Sequence, residues 1–566
     1  MEMAKIGILF DKDEARKRYG NSENTFSIYI GEILSHFGAP YVWITHLNQI
    51  QSEIDVLIVA LANGSEKEVE SIINFTTNGG TVITLSEYPG LATKLGFDEI
   101  SLNEVGYATF DNFHKEQPLR FLKSNIWDKR NHFIEKSGQL ISDYPKGEST
   151  TPALITHKVG KGLIDHWNVD IPSTIVGIQQ GQKPVTKDGE PAPDGTANLD
   201  EGILKADDGF ELDWNLDRSR TETGIPYFTY PYADLWREVF FHYLLKRIID
   251  KKLTLPFIGY WPEGTKHIAT ISHDSDINID ESARITLQSL KDAGVRSTWC
   301  MIEPGYSKEI YEKVKTADHE LAFHYNALEK ENGNWSEAEF NRQLKWLKGA
   351  TELEEIHSNK NHYTRFQGWG DLFEWCERAG IQLDQSRGPS KKGNIGFLFG
   401  TAHPYFPVAS YQDQNRLYDV LELGFLTQDL NHETLADTSV IDPFLAQVKK
   451  VDGVAHFLFH QIHLLRQLPV RGAIGEVARK AKEQGFEFWT SKEINHWERV
   501  RRKVKIINVY NDEKLMIDNP ENIENVIVWI PISRHNATRY NPERVQEKFG
   551  IPCIKKVLNK LNAHLI

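Results

Sequence analysis

The sequence predicts an α/β protein in three parts: a doubly wound parallel sheet over residues 1–250, a second strand–helix unit over 251–500, and a small β-rich segment over 501–566. Three observations predict it. Short apolar runs alternate with segments of helical period near the amino terminus, with short connections between them. The same alternation resumes after about residue 255, and from Val504 the texture changes to short strand-like runs separated by turn residues.

In order, Lys5–Phe10 reads as a strand, Asn24–His36 as a helix, and Tyr41–Thr45 and Asp55–Leu61 as strands. Ser65-Glu-Lys-Glu68 is a capping signal, and the helix it opens stops at Asn78-Gly-Gly80 before strand Thr81–Leu85. No Gly-x-Gly-x-x-Gly run follows the first strand, so a dinucleotide site has no support. Pro152–Val169 reads as a hairpin turned at Gly160-Lys-Gly162. The acidic, Gly- and Pro-rich stretch Gln179–Arg220 is either a solvated loop or a lid, with Trp214, Tyr227, Phe228, Tyr230 and Tyr232 as sugar-stacking faces. Leu235–Ile249 has the pattern of an amphipathic helix.

In the middle part, His267–Asp276 is a strand running into a polar end. Ala283, Leu287 and Leu290 follow helical spacing up to Gly294, and Val295–Ile302 reads as the next strand. His319–Asn326 is another, and Ser336-Glu-Ala-Glu339 opens a helix with Phe340, Leu344 and Leu347 inward. Val504–Tyr510 and Val526–Ile530 are the strands of the last part.

Composition excludes several functions. With 40% hydrophobic and 25% charged residues the chain is an ordinary soluble protein, and its net charge of −14 argues against nucleic acid or an anionic membrane surface as partner. No run approaches the roughly 18 apolar residues of a membrane helix. Three scattered cysteines, Cys300, Cys376 and Cys553, suit reduced thiols in the cytoplasm and exclude a cysteine-rich zinc site. A metal would be held by histidine and carboxylate.

The chemistry concentrates at strand ends. By strand alternation Asp274 and Asp276 share a side with Thr270 and Ser272, so two carboxylates converge. Such a pair suits a metal ligand beside a catalytic base, and a solvated turn is the alternative. His324 ends a second strand about fifty residues on, and functional residues collect at the carboxyl ends of strands in such units.

With Ile271-Ser-His-Asp-Ser-Asp276, His319-Glu-Leu-Ala-Phe-His324, Asn361-His-Tyr-Thr-Arg-Phe-Gln-Gly-Trp369, Gln382-Leu-Asp384 and Phe457-Leu-Phe-His460-Gln-Ile-His463, the region from about 255 to 495 resembles the polysaccharide deacetylase (NodB homology) family in divergent form. The resemblance implies a (β/α) barrel and a metal-dependent hydrolase that removes an acyl group from an amide nitrogen of a carbohydrate-like or other small substrate. It implies Asp274 as base, His460 or else His463 as acid, Asp384 assisting that acid, Arg365 or Lys360 orienting Asp274, and Asp276 and His324 as ligands of a divalent metal such as zinc. The family's second histidine of the second motif is Leu328 here, so another ligand must replace it. His362 is the first choice, with His273, His403 and His460 behind it. The amino-terminal part resembles the flavodoxin-like, class I glutamine amidotransferase-like fold. It lacks that fold's nucleophile, because no cysteine precedes Cys300. A linear amide or ureide hydrolase and a catalytically silent carbohydrate-binding protein are the other readings, and a homo-oligomer is compatible with all three.

Overall fold

The computed structural model describes residues 2–45, 54–85, 87–102, 105–115, 117–128, 134–142, 144, 147, 151–199, 202–511 and 514–559. Asp200 and Glu201 of the acidic stretch and residues 560–566 of the last part lie outside these.

The amino-terminal half is built on a seven-stranded sheet. Its order is Glu135–Ser137, Leu154–Val159, Gly162–Trp167, Thr81–Thr84, Val56–Leu61, Ile6–Phe10, Val42–Ile44. The last five strands run parallel, Leu154–Val159 is added antiparallel to them, and Glu135–Ser137 antiparallel to Leu154–Val159. Val56–Leu61 is buried along its whole length, which is why its sequence is continuously apolar rather than alternating. Ser65 caps its helix by accepting from the Glu68 amide, as its sequence signal predicts. Lys12–Gly20, a helix the periodicity does not predict, exposes polar residues nearly all round and is held by its Asp11 cap.

The expected helix before the middle part spans Tyr232–Asp250, but it is buried on almost every side rather than amphipathic. It is wedged between the two halves: Trp236 Nε1 donates to the Arg120 carbonyl, while Asp234 accepts from the Ala402 amide and the Thr401 hydroxyl. One apolar core therefore runs from Ala4 to Cys553.

The second sheet is a curled parallel one of nine strands among the described residues. We number them β1 (His267–Asp274), β2 (Thr298–Met301), β3 (Glu320–Tyr325), β4 (Ser358–Asn361), β5 (Leu383–Asp384), β6 (Leu421–Glu422), β7 (Thr427–Gln428), β8 (Val454–His460) and β9 (Phe486–Phe488). Their spatial order is β6-β5-β4-β3-β2-β1-β8-β7, with β9 against the start of β1. The last part holds a two-stranded sheet of Lys505–Asn511 and Lys514–Asp518 and three strands of a four-stranded sheet whose fourth strand is Phe257–Ile258, paired antiparallel with Val528–Trp529. No helix among the described residues is long and apolar enough to cross a membrane.

Candidate active site

Parallel strands put their carboxyl ends on one edge, and register decides which residues meet there. Asp274 at the end of β1 is level with His460 at the end of β8, and His324 of β3 is level with Lys360 of β4. Asp276 follows two residues after β1, His362 follows β4 at once, and Asp429 follows β7.

Three donor atoms converge. Asp276 Oδ1 lies 3.2 Å from His324 Nε2 and 3.2 Å from His362 Nδ1, and the two imidazole nitrogens are 3.3 Å apart. Ligands at about 2.0 Å from a tetrahedral ion are about 3.3 Å from one another, so this is the spacing of three corners of such a site. The outer nitrogens are also engaged: His324 Nδ1 donates to the Lys360 carbonyl at 2.9 Å, and His362 Nε2 lies 3.1 Å from Glu331 Oε2. A proton on each outer nitrogen leaves the inner lone pairs aimed at one point, which is how metal-binding histidines are oriented. The donor set fits a divalent cation. Burial works to raise the Asp276 carboxyl, but His460, His362 and His324 outweigh it and hold the group well below the usual carboxylate range. Burial lowers His362, whereas Asp276 and Glu331 raise it above its ordinary value overall.

Beside these donors stand a carboxylate and an imidazole suited to proton transfer. Asp274 Oδ1 meets Lys360 Nζ at 3.2 Å, and its Oδ2 sits 3.9 Å from His324 Nε2 and 4.0 Å from His460 Nε2. Lys360 is fully buried and donates to Ser272 Oγ at 2.6 Å. Ser272 in turn contacts His456 Nε2 at 2.8 Å, and burial lowers the His456 pKa well below the usual value. His460 Nδ1 is bonded to Asp429 Oδ2 at 2.5 Å, while its Nε2 faces Asp276 Oδ2 at 3.5 Å. Burial pulls His460 down, but Asp429 and then Asp276 push its imidazole up to about 10. The same Asp429 oxygen lies 3.1 Å from His463 Nδ1. Asp429, His460 and His463 are a second cluster of possible ligands, but the 2.5 Å contact is a hydrogen bond and too short for two ligands of one ion.

No family model matches the sequence, and no curated protein does. Among solved structures, the chain is similar to a putative polysaccharide deacetylase from Mycobacterium smegmatis at 15% identity and a TM-score of 0.31, covering 44% of this chain and 96% of that one. A putative polysaccharide deacetylase involved in O-antigen biosynthesis from Bordetella bronchiseptica matches at 17% identity and a TM-score of 0.27, over 42% and 86% of the two chains. The GH42 β-galactosidase Gan42B from G. stearothermophilus matches at 16% identity and a TM-score of 0.24, over 29% of this chain and 27% of that one. The chain thus spans under a third of the length of that β-galactosidase.

The structure brings together Asp274, Asp276, His324, His362, His460 and His463. Two expected assistants lie elsewhere. Arg365 does not reach Asp274, because its guanidinium donates to the Leu204 carbonyl and Gln367 Oε1 and rests on the Trp335 ring; Lys360 takes the place beside Asp274. Asp384 is not the partner of His460. It accepts from Asn359, from the Ser386 amide and from the Ser386 hydroxyl, and it lies against Glu422, whose carboxyl burial and Asp384 together raise far above the usual range. Of the three reserve ligands, His460 reaches the site with Nε2 3.5 Å from Asp276 Oδ2, whereas His273 lies against the Phe459 carbonyl and His403 against the Val451 carbonyl. Of the expected sugar-stacking faces, Tyr227, Phe228 and Tyr232 are buried, Trp214 packs on Phe210 and Phe228, and Trp214 and Tyr230 are half-buried.

Sequence reasoning missed Asp429 and Glu331. Asp429 had the same signal as Asp274, a carboxylate ending a strand, but its strand has only two residues. Glu331 lies on a short turn, Glu329–Glu331, among other charged residues, with no periodic signal at all.

Proposed function

We propose that the chain is a metal-dependent hydrolase of the deacetylase type, releasing an acyl group from an amide nitrogen of a carbohydrate-like substrate. The observation that carries this is the 3.2–3.3 Å spacing of Asp276 Oδ1, His324 Nε2 and His362 Nδ1, next to an acid–base pair on neighbouring strands. Those three atoms would hold a divalent ion, whose chemistry there would be Lewis acidity toward an acyl oxygen and a water. Asp274, fixed by Lys360, accepts the proton of the attacking water. His460, fixed by Asp429, returns a proton to the leaving amine nitrogen, and His463 shares the same carboxylate from the more open side.

The amino-terminal half is read as a non-catalytic amidotransferase-like domain, in keeping with the lack of any cysteine before Cys300. Three buried, unpaired cysteines support a reducing, cytoplasmic setting.

The test is a pair of variants assayed for bound metal by mass spectrometry and for acetate release from a panel of N-acetylated glycans. His324→Ala is expected to lose metal and activity together, and Asp274→Asn to keep metal and lose only turnover. A metal-free wild-type protein that still turned over such a substrate would refute the reading.

A further inference from the structure

The turn after β3 carries Leu328 where the resemblance calls for a second histidine ligand. Leu328 is buried and cannot hold a cation, but three residues later Glu331 brings Oε2 to 3.1 Å from His362 Nε2. Resting on the metal-site reading above, we propose that Glu331 is the positioning residue that makes His362 the third ligand. It fixes the imidazole in the tautomer and orientation that present Nδ1, rather than Nε2, to the ion.

Both loops at this point are shaped to bring the two side chains together. In the first, the Asn326 carboxamide accepts from the Leu328 amide and donates to Glu331 Oε2, and the Gly333 amide closes the turn on the Leu328 carbonyl at 2.9 Å. Asn332 is left-handed with φ 63°, and a Cβ on Gly333 would stand 2.3 Å from the Asn326 carbonyl oxygen, so the turn closes only with glycine there. In the second, Tyr363 and Thr364 directly after His362 are both left-handed, with φ 57° and 51°. Two consecutive non-glycine residues in that region hold strained backbone that the surroundings must maintain. The loops also meet at a second contact, where Lys330 Nζ lies 4.8 Å from the Tyr363 ring centroid.

A casual surface ion pair would leave His362 exposed, and it is not: its side chain is 5% exposed, against 37% for Glu331. The buried ring has a carboxylate oxygen on each side, Asp276 at Nδ1 and Glu331 at Nε2. A neutral imidazole has one proton to give. With a cation shared between Nδ1 and Asp276, that proton belongs on Nε2 toward Glu331, which is the carboxylate–histidine–metal arrangement. The two histidines are therefore oriented differently, His324 by the Lys360 carbonyl of β4 and His362 by a side chain of a partly exposed turn.

The experiment is zinc affinity by chelator competition on the full chain, with the visible absorption of the cobalt-substituted protein as the structural readout. Removal of such a partner weakens metal binding about 10- to 100-fold. Glu331→Ala is expected to show that loss and a changed cobalt band, Glu331→Gln to recover part of the affinity because it keeps an acceptor of the same length, and His362→Ala to bind more weakly than either. Wild-type affinity and an unchanged cobalt spectrum in Glu331→Ala would overturn the assignment of Glu331 alone. A wild-type chain that takes up neither zinc nor cobalt would overturn it together with the metal-site reading.

Discussion

His460 stands between two carboxylates, and what its proton does depends on which one holds it. The short bond from Nδ1 to Asp429 sets the ring, and Asp429 is the foremost charge raising the imidazole to about 10 against the opposing effect of burial. Asp429→Asn is therefore expected to lower the His460 pKa toward the ordinary histidine value of about 6.5, measured by NMR titration of its ring in the metal-free protein. Since the acid form is lost as pH rises through the pKa, the alkaline limb of activity should move to lower pH in the same variant. An unmoved titration would contradict the pairing. Asp274, Asp276, His324 and His460 were legible in the sequence because each lies at or just past the end of a largely apolar run. Lys360 was not separable from Arg365, because β4 reads Ser-Asn-Lys-Asn and shows no apolar alternation, although all four residues are buried. Its side chains meet polar partners on both faces, Asn359 with Asp384 and Lys360 with Ser272 and Asp274.

At the scale of elements, the segment Gln179–Arg220 matters more than its acidic composition suggests. Part of it is strand-like, pairing with the loop that follows His362: the Gly368 amide donates to the Val185 carbonyl at 2.8 Å, Val185 returns the bond at 2.9 Å, and the Phe366 amide donates to the Leu204 carbonyl at 3.0 Å. Arg365 adds its guanidinium to that same Leu204 carbonyl. A lid over the strand ends was one sequence expectation. The observed pairing ties the segment to the His362 loop and is expected to act as a brace for it. Hydrogen exchange of the full chain should therefore find the amides of Val185, Phe366 and Gly368 protected to a similar degree, well beyond the rest of the irregular stretch. Exchange of all three within seconds would indicate a moving lid instead. Sequence patterning could not reveal the brace, because isolated bridges of one or two residues leave no periodic trace.

Across the whole molecule, the three sequence segments interlock through buried charge. Arg502 grips Glu32 with both terminal nitrogens at 2.8 Å, Arg501 donates to the His36 carbonyl at 3.0 Å, and both arginines hold Glu498. Burial works to raise Glu498, but Arg501 and Arg502 overcome it and lower its pKa from 4.5 to about 2. That gap is worth about 3 kcal/mol of stability. Because the folded value is depressed, the contribution is complete above the unfolded value near 4.5 and is lost as pH falls toward 2. Denaturant unfolding should find Glu498→Gln less stable than wild type at pH 6, with the difference shrinking by pH 3; an equal difference at both would refute the linkage. The alternating strands and helices of this frame were readable from periodicity, whereas the interlock was not, since Glu32 and Arg502 are distant in the chain and carry no mark of their pairing. The frame brings the ends of β1, β3 and β4 to one point, and anomalous diffraction at the zinc edge from zinc-soaked crystals tests that claim most directly. The account requires a peak about 2.0–2.2 Å from Asp276 Oδ1, His324 Nε2 and His362 Nδ1. A peak at Asp429, His460 and His463 instead, or none near Asp276, would contradict it.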